Sequence, residues 1–183
     1  SIQALNLNSF GDFVLGETAN FSITTNPATF ITQNSALLNG SILSNGVIAT
    51  AKFEYGLSSE YGLNSIVFQT QQVFDTIVSS LITNLLPNAK YHYKLKLETT
   101  NGMNSGADQE FITLAAVPSP PIMLNQSSTS VLLTLQNVEL NPDSTEYCIR
   151  VDNQYFVNAD GSLGESPFWQ TKSNWDTLLV TGL

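Results

Sequence analysis

Residues 85–102 read LLPNAKYHYKLKLETTNG and contain the clearest strand pattern of the chain. From residue 91 to residue 98 the odd positions carry Tyr or Leu, and the even positions carry His, Lys or Glu. Successive side chains of a β-strand point to opposite faces of a sheet, so this run predicts a strand with one buried and one exposed face. His92, the one histidine of the chain, is expected on the exposed face.

Short runs of the same kind lie on both sides of this strand, separated by Asn, Gly, Ser and Pro: residues 36–42, 51–55, 66–68, 73–82 and 108–113. Helical periodicity is nearly absent, so the chain is predicted to be all-β. Six or seven strands within residues 27–114 have the size and spacing of an antiparallel two-sheet sandwich of about 100 residues.

The connection that leads into the strand contains Leu85, Pro87 and Tyr91. It resembles the tyrosine corner of immunoglobulin-like sandwiches, in which a Tyr hydroxyl bonds to the backbone upstream. Further matches to one family, fibronectin type III and particularly its bacterial members, lie in three segments: SALLNGSI (35–42), AKFEYG (51–56) and QEFITL (109–114). The resemblance implies immunoglobulin-like antiparallel β-sandwiches in tandem, and it implies that the three corner residues are structural.

The chain is predicted to contain one complete sandwich and parts of others. Residues 27–116 form the complete fibronectin type III domain, and a Pro-containing connector follows it. Residues 117–183 supply the N-terminal strands of a following sandwich, whereas residues 1–26 resemble the C-terminal strands of a split or preceding one. Two hypotheses remain open: the chain is one period of a longer tandem array, or strands from a neighbouring copy complete the split sandwich.

Composition and charge restrict the possible partners. Fifteen acidic residues against six basic ones give a formal net charge of -9, which disfavours nucleic acid and anionic membrane surfaces. No apolar run approaches the roughly 20 residues that a membrane-spanning helix needs. The single Cys148 excludes an internal disulfide, and alternation places its thiol opposite the core face.

Catalytic and metal sites find little support in the sequence. His92 has no neighbouring Ser or Cys nucleophile, so an enzyme is not expected and no cofactor is implied. Calcium is the one cation considered, with Asp152, Asp160 and Glu165 as candidate ligands around a Gly turn. Their spacing differs from that of the twelve-residue calcium loop, and Asp-Gly is also an ordinary turn signal.

Carbohydrate is the other ligand class considered. Trp169, Trp175 and Tyr155 could stack on sugar rings, although core packing explains such residues equally. Tripeptides that match glycosylation acceptors begin at three positions, and a chain rich in Asn, Ser and Thr also produces such matches by chance: Asn20, Asn39 and Asn125.

These observations favour a non-catalytic extracellular or cell-surface module with a structural or adhesive role. Its expected partners are copies of itself or neighbouring repeats, with which it would form a filament or sheath through end-to-end or strand-sharing contacts. Surface glycans or polysaccharides are further candidate partners. The alternative is an accessory spacer or carbohydrate-binding module of a secreted polysaccharide-active enzyme.

Overall fold

The structure of the protein is a computed structural model. It describes residues 22–43, 48–66, 68–70, 75–99, 102–136 and 140–183. Apart from one helix of four residues, the regular elements in these ranges are β-strands, and every strand pairing is antiparallel. The all-β prediction is therefore confirmed. No helix among the described residues is long and apolar enough to cross a membrane.

The N-terminal unit, residues 22–114, contains these strands within the described ranges: β1 (Ser22–Thr29), β2 (Ser35–Leu43), β3 (Ala49–Gly56), β4 (Leu63–Asn64), β5 (Phe68–Thr70), β6 (Asp75–Thr83), β7 (Lys90–Thr99), β8 (Gly102–Ser105) and β9 (Gln109–Ile112). One sheet has the order β1–β2–β6. The other has the order β4–β3–β7–β8, with β5 also paired to β3 and β9 also paired to β7. The two sheets form the antiparallel sandwich that the sequence predicts.

Strand β7 shows why the sandwich forms where it does. Its residues Tyr91, Tyr93, Leu95 and Leu97 are between 0 and 4% exposed, and they alternate with half-buried or exposed polar side chains. The Tyr91 ring stacks on Phe111 of β9, with ring centroids 5.5 Å apart. Burial of an aromatic or Leu side chain contributes about 1.5–3 kcal/mol, so this one strand supplies a large part of the driving force for folding.

The C-terminal unit, residues 122–183, contains β10 (Ile122–Gln126), β11 (Ser130–Thr134), β12 (Glu146–Tyr147), β13 (Arg150–Val151), β14 (Tyr155–Val157), β15 (Leu163–Gly164), β16 (Gln170–Thr171), α1 (Lys172–Trp175) and β17 (Thr177–Thr181). Its strands form a sheet of order β10–β11–β17, a pair β12–β16 and a small sheet β13–β14–β15. Its buried cluster is smaller than that of the N-terminal unit: Leu133, Ile149, Val157, Trp175 and Val180.

The first strand begins earlier than the predicted domain boundary. β1 starts at Ser22 and pairs with β2, so residues 22–26 lie in the N-terminal sandwich. The prediction had assigned them to a split sandwich, because their alternation also suits a closing strand, and alternation alone does not identify the partner strand. The rest of that predicted segment, residues 1–21, lies outside the described residues, as does the site at Asn20.

Candidate functional site

The tyrosine corner lies at the entry to β7. The backbone N–H of Leu86 donates a hydrogen bond to the Tyr91 hydroxyl oxygen at 3.0 Å. Leu85, Pro87 and Tyr91 are all buried, so the corner connects β6 and β7 through the core. Its role in this chain is to hold the fold.

Corresponding strands pair in the same register in the first sheets of the two units. β2 pairs with β6 from Ser35 opposite Thr83, and β11 pairs with β17 from Ser130 opposite Thr181. The turns before β2 and β11 are also alike, because an amide three residues upstream donates to the carbonyl of the first strand residue, at 2.8 Å in both units. β17 therefore corresponds to β6, and Leu183 corresponds to Leu85.

In the C-terminal unit β12 and β13 belong to two separate small sheets, and the side of each that no described strand pairs is called the open edge. In the N-terminal unit β3 lies between β7 on one side and β4 and β5 on the other. Among the described residues, β12 pairs only with β16, and β13 pairs only with β14. The described part of the C-terminal unit thus has no counterpart of β7 and β9, and one edge of β12 and β13 is left without a strand.

A cleft lies next to β12 in the C-terminal unit. It has a volume of about 400 Å³ and lies between the end of β11, the loop before β12 and α1, and both Leu135 and Tyr147 line it. The indole N–H of Trp175 donates to the Tyr147 carbonyl at 2.9 Å, which holds α1 against β12. The buried Trp175 therefore anchors α1 beside this cleft.

Hydrogen bonds join the two units at the Pro-containing connector. The Asn141 side chain accepts from the Ala116 N–H at 2.8 Å and donates to the Ala116 carbonyl at 3.0 Å. It also donates to the Tyr147 hydroxyl at 3.2 Å. In a second contact between the units, the Asn88 side-chain amide donates a hydrogen bond to the Thr145 hydroxyl oxygen at 2.9 Å. The corner of the first unit and the connector are therefore both fixed to the second unit.

A polar group, the outer-face cluster, lies on the solvent side of β7 and β9: Tyr61, Lys90, His92, Asp108 and Glu110. His92 Nδ1 lies 2.9 Å from Asp108 Oδ2, and His92 Nε2 lies 3.5 Å from Glu110 Oε1. Tyr61 donates to Asp108 Oδ1 at 3.0 Å, and Lys90 Nζ lies 2.6 Å from Glu110 Oε2. The His92 side chain is 19% exposed, so it is partly enclosed by its partners.

Electrostatics next to this cluster shift two pKa values. Burial and the hydrogen bond to Asp108, together with the negative charges of Asp108, Glu54 and Glu60, raise the pKa of Tyr61 to about 12. Burial raises the pKa of Glu54, but the hydrogen bond from Lys96 and nearby lysine charges outweigh it, so this pKa lies below its usual value. Tyr61 is therefore a neutral hydroxyl donor at physiological pH, and Glu54 is ionised.

The calcium candidates do not come together. Asp160 Oδ1 accepts from the Ser162 N–H at 3.0 Å and from its hydroxyl at 2.6 Å, so this carboxylate closes a turn. Those bonds, the side-chain one first, lower the pKa of Asp160. Asp152 has a positive φ of 52° in another turn, and Glu165 is exposed. Among the described residues these three carboxylates form no common group of ligand atoms.

The aromatic candidates lie in different environments. Trp175 is 1% exposed and packs edge-on against Phe168, with centroids 6.1 Å apart, so it has the core role that the sequence also allowed. Trp169 is 57% exposed and Tyr155 is 37% exposed. A sugar could therefore reach the rings of Trp169 and Tyr155, but Trp175 is covered.

Two other predicted positions are constrained by their surroundings. The Asn39 side-chain amide donates to the Pro27 carbonyl at 2.9 Å and to the Thr29 hydroxyl at 3.0 Å, so its nitrogen is engaged between β1 and β2. Asn125 is exposed on β10. Cys148 is a half-buried free thiol between β12 and β13, at the open edge.

Sequence reasoning missed the outer-face cluster and the contacts of Asn141. Alternation placed His92 on the outer face, but its partners depend on register, which sets Glu110 opposite His92. Residues 102–108 separate the two strands with β8 and a loop, so no short turn indicated that register. Asn141 lies in a loop, where periodicity carries no signal.

Comparison with known proteins leaves the identification at the level of the fold. No family model and no curated protein matches the chain. Among solved structures, the sensor domain of the anti-sigma factor RsgI4 of Pseudobacteroides cellulosolvens is similar at 23% identity, with a TM-score of 0.45, over 55% of this chain and 100% of that one.

Two fibronectin type III structures are similar as well. The domain derived from human KIAA0970 protein matches at 18% identity and a TM-score of 0.37, over 58% of this chain and 82% of that one. The central fibronectin-III array of RIM-binding protein matches at 16% identity and a TM-score of 0.33, over 87% of this chain and 51% of that one. Likeness this distant says nothing about function, and the strand order itself establishes the all-β sandwich fold.

Proposed function

We propose that this protein is a non-catalytic structural module of an extracellular or cell-surface scaffold, in which one copy supplies strands to the next. The observation that carries the proposal is the open edge of β12 and β13. An exposed strand edge presents unpaired N–H and C=O groups, which pair readily with a strand from another chain.

The N-terminal unit indicates what the occupant must look like. At the corresponding place it has β7 and β9, and β7 carries aromatic and Leu side chains on one face and polar ones on the other. An occupant of the open edge therefore needs an alternating strand followed by a short second strand. Its apolar face would cover Tyr147 of β12, which is half-buried in this structure.

Residues 1–21 of a neighbouring copy are the occupant we propose. Their sequence has alternating apolar and polar residues, then Asn8 and Gly11, and then Phe13, an order similar to that in residues 93–114. Successive copies joined in this way would form a filament or sheath. The Asn141 and Asn88 hydrogen bonds suit such an array, because they fix the connector between the two units of each copy.

Light scattering during size-exclusion chromatography tests this proposal on the whole chain and on a chain that lacks residues 1–21. We expect the whole chain to associate as its concentration rises, and the shortened chain to remain monomeric. A synthetic peptide of residues 1–21 should bind the shortened chain with one-to-one stoichiometry. A whole chain that is monomeric at all concentrations would contradict strand exchange between copies.

Carbohydrate binding is a second candidate function, favoured by the exposure of Trp169 and Tyr155. In this case the module would serve as an accessory domain of a secreted polysaccharide-active protein. A polysaccharide pull-down with the whole chain and Trp169→Ala tests it. Retention of the whole chain, lost in Trp169→Ala, supports sugar stacking, whereas equal retention of both proteins opposes it.

A further inference from the structure

We infer that His92 and Glu110, oriented by Asp108, form a binding site for a late first-row divalent cation such as Zn²⁺ on the outer face of β7 and β9. This site is separate from the open edge and does not depend on the proposed scaffold function. It also differs from the calcium hypothesis in its residues and in its cation.

Strand register brings the ligands together. His92 and Glu110 are direct cross-strand partners, so their side chains leave the same face of the sheet. Asp108 lies just before β9, and its carboxylate is 2.9 Å from His92 Nδ1, so it lies on the same side of the sheet. One potential ligand atom from each of the three residues lies within 4.8 Å of the other two.

The distances divide the three residues into two roles. His92 Nε2 and Glu110 Oε1 are 3.5 Å apart, close to the separation of about 3.4 Å between two ligand atoms that bind tetrahedral zinc at about 2.0–2.1 Å. Asp108 Oδ2 lies 2.9 Å from the other ring nitrogen, Nδ1. A carboxylate at that position holds the proton on Nδ1 and leaves the Nε2 lone pair for the metal.

The remaining contacts keep the carboxylates in place. Tyr61 donates to Asp108 Oδ1, the oxygen that faces away from the imidazole. Lys90 holds Glu110 Oε2 and leaves Oε1 directed at His92. The positive charge of Lys90 opposes a cation, so this lysine both orients the ligand and weakens the site.

The ligand set indicates the class of cation. Imidazole nitrogen with carboxylate oxygen suits Zn²⁺, Cu²⁺ and Ni²⁺, whereas Ca²⁺ takes six to eight oxygen ligands. Two protein ligands leave the other coordination positions to water, which predicts modest affinity. A bound ion would link β9 to β7 and add stability to the sheet edge.

The single histidine makes the experiment specific. We would follow the imidazole ring signals of His92 by NMR at pH 7.5 during titration with Zn²⁺, in a Cys148→Ser background that removes the one thiol. Calorimetry on the same samples gives the affinity. We expect the ring signals to shift progressively to saturation as Zn²⁺ is added and not to respond to Ca²⁺.

Variants separate the site from other zinc binding. His92→Gln and Glu110→Gln should each weaken binding at least tenfold, and Asp108→Asn should weaken it about tenfold or more, as loss of an orienting carboxylate does. Lys90→Gln should tighten binding several-fold, a gain that misfolding cannot produce. Ring signals that stay unchanged in excess Zn²⁺, or equal affinity in His92→Gln, would overturn the inference.

Discussion

Replacement of Tyr91 by Phe tests how much the tyrosine corner stabilises the N-terminal unit. The ring packs on Phe111 and is 4% exposed, and Phe keeps that packing. The change removes only the hydroxyl that accepts the Leu86 N–H at 3.0 Å. Loss of one partner of a partly buried hydrogen bond costs about 1–2 kcal/mol. That cost lowers the folding equilibrium constant about 5- to 30-fold.

Urea unfolding measures this cost in each unit of the same molecule. Both tryptophans lie in the C-terminal unit, so their fluorescence reports on that unit, while NMR signals of β7 report on the other. The urea dependence of a unit this small is about 1–2 kcal/mol per M, so the N-terminal midpoint should fall by about 0.5–2 M with an unchanged slope. The fluorescence midpoint should stay constant.

Tyr55→Phe is the matched control. Tyr55 also packs against this core, and its hydroxyl makes none of the hydrogen bonds found among the described residues. We expect its midpoint to stay within about 0.3 M of the parent, because Phe keeps the ring packing and no hydrogen bond is lost. Equal shifts in the two variants would contradict this prediction, because the corner hydrogen bond would then contribute nothing of its own.

Three further changes test other parts of the structure. Gly56→Ala should destabilise the N-terminal unit by about 1–3 kcal/mol in urea unfolding, because the added Cβ would lie 1.7 Å from the Tyr61 carbonyl oxygen. Glu54→Gln should lower the free energy of unfolding at pH 7, and this difference should vanish in acid. The reason is that the pKa of Glu54 is lower in the folded than in the unfolded state. The resulting stability is present above the unfolded pKa and is lost as the pH falls through the folded pKa. Asn141→Ala should speed amide exchange at Ala116 at least tenfold, because that N–H loses its acceptor.

Each of these changes has a control and a contradicting outcome. Glu60→Gln alters an exposed acid nearby and should leave the dependence of stability on pH unchanged. If Glu54→Gln lowers stability by the same amount at every pH, the ion pair between Glu54 and Lys96 does not contribute to stability. Asn174→Ala changes an exposed Asn on α1 and should not affect Ala116. A Gly56→Ala protein as stable as its parent would show that the turn at residues 57–61 can move aside at no cost.

The sequence predicts the fold where alternation is strict. β7 carries four apolar residues on one face, and Leu85, Pro87 and Tyr91 mark the corner before it, so a short segment identifies the sandwich. The start of β1 was missed because edge strands and closing strands share the same weak alternation. Position within a sheet depends on tertiary pairing, which local pattern does not encode.

The two candidate sites likewise depend on tertiary pairing, which the local sequence pattern does not encode. The cluster at His92 depends on which residue of β9 faces it, and the open edge depends on which strands are paired with β12 and β13. Both are properties of register and topology. Local pattern does not distinguish Trp169 from Trp175, because their burial depends on tertiary position: Trp169 is exposed in the loop before β16, and Trp175 is buried on α1.

Hydrogen exchange at the amides of β12 and β13 is the most direct measurement of strand exchange between copies. We would compare the whole chain, the chain that lacks residues 1–21, and the shortened chain with the synthetic peptide added. We expect these amides to be protected in the whole chain at high concentration, exposed in the shortened chain and protected again by the peptide. Equal protection in all three samples, independent of concentration, would show that residues 1–21 of a neighbouring copy do not complete this edge.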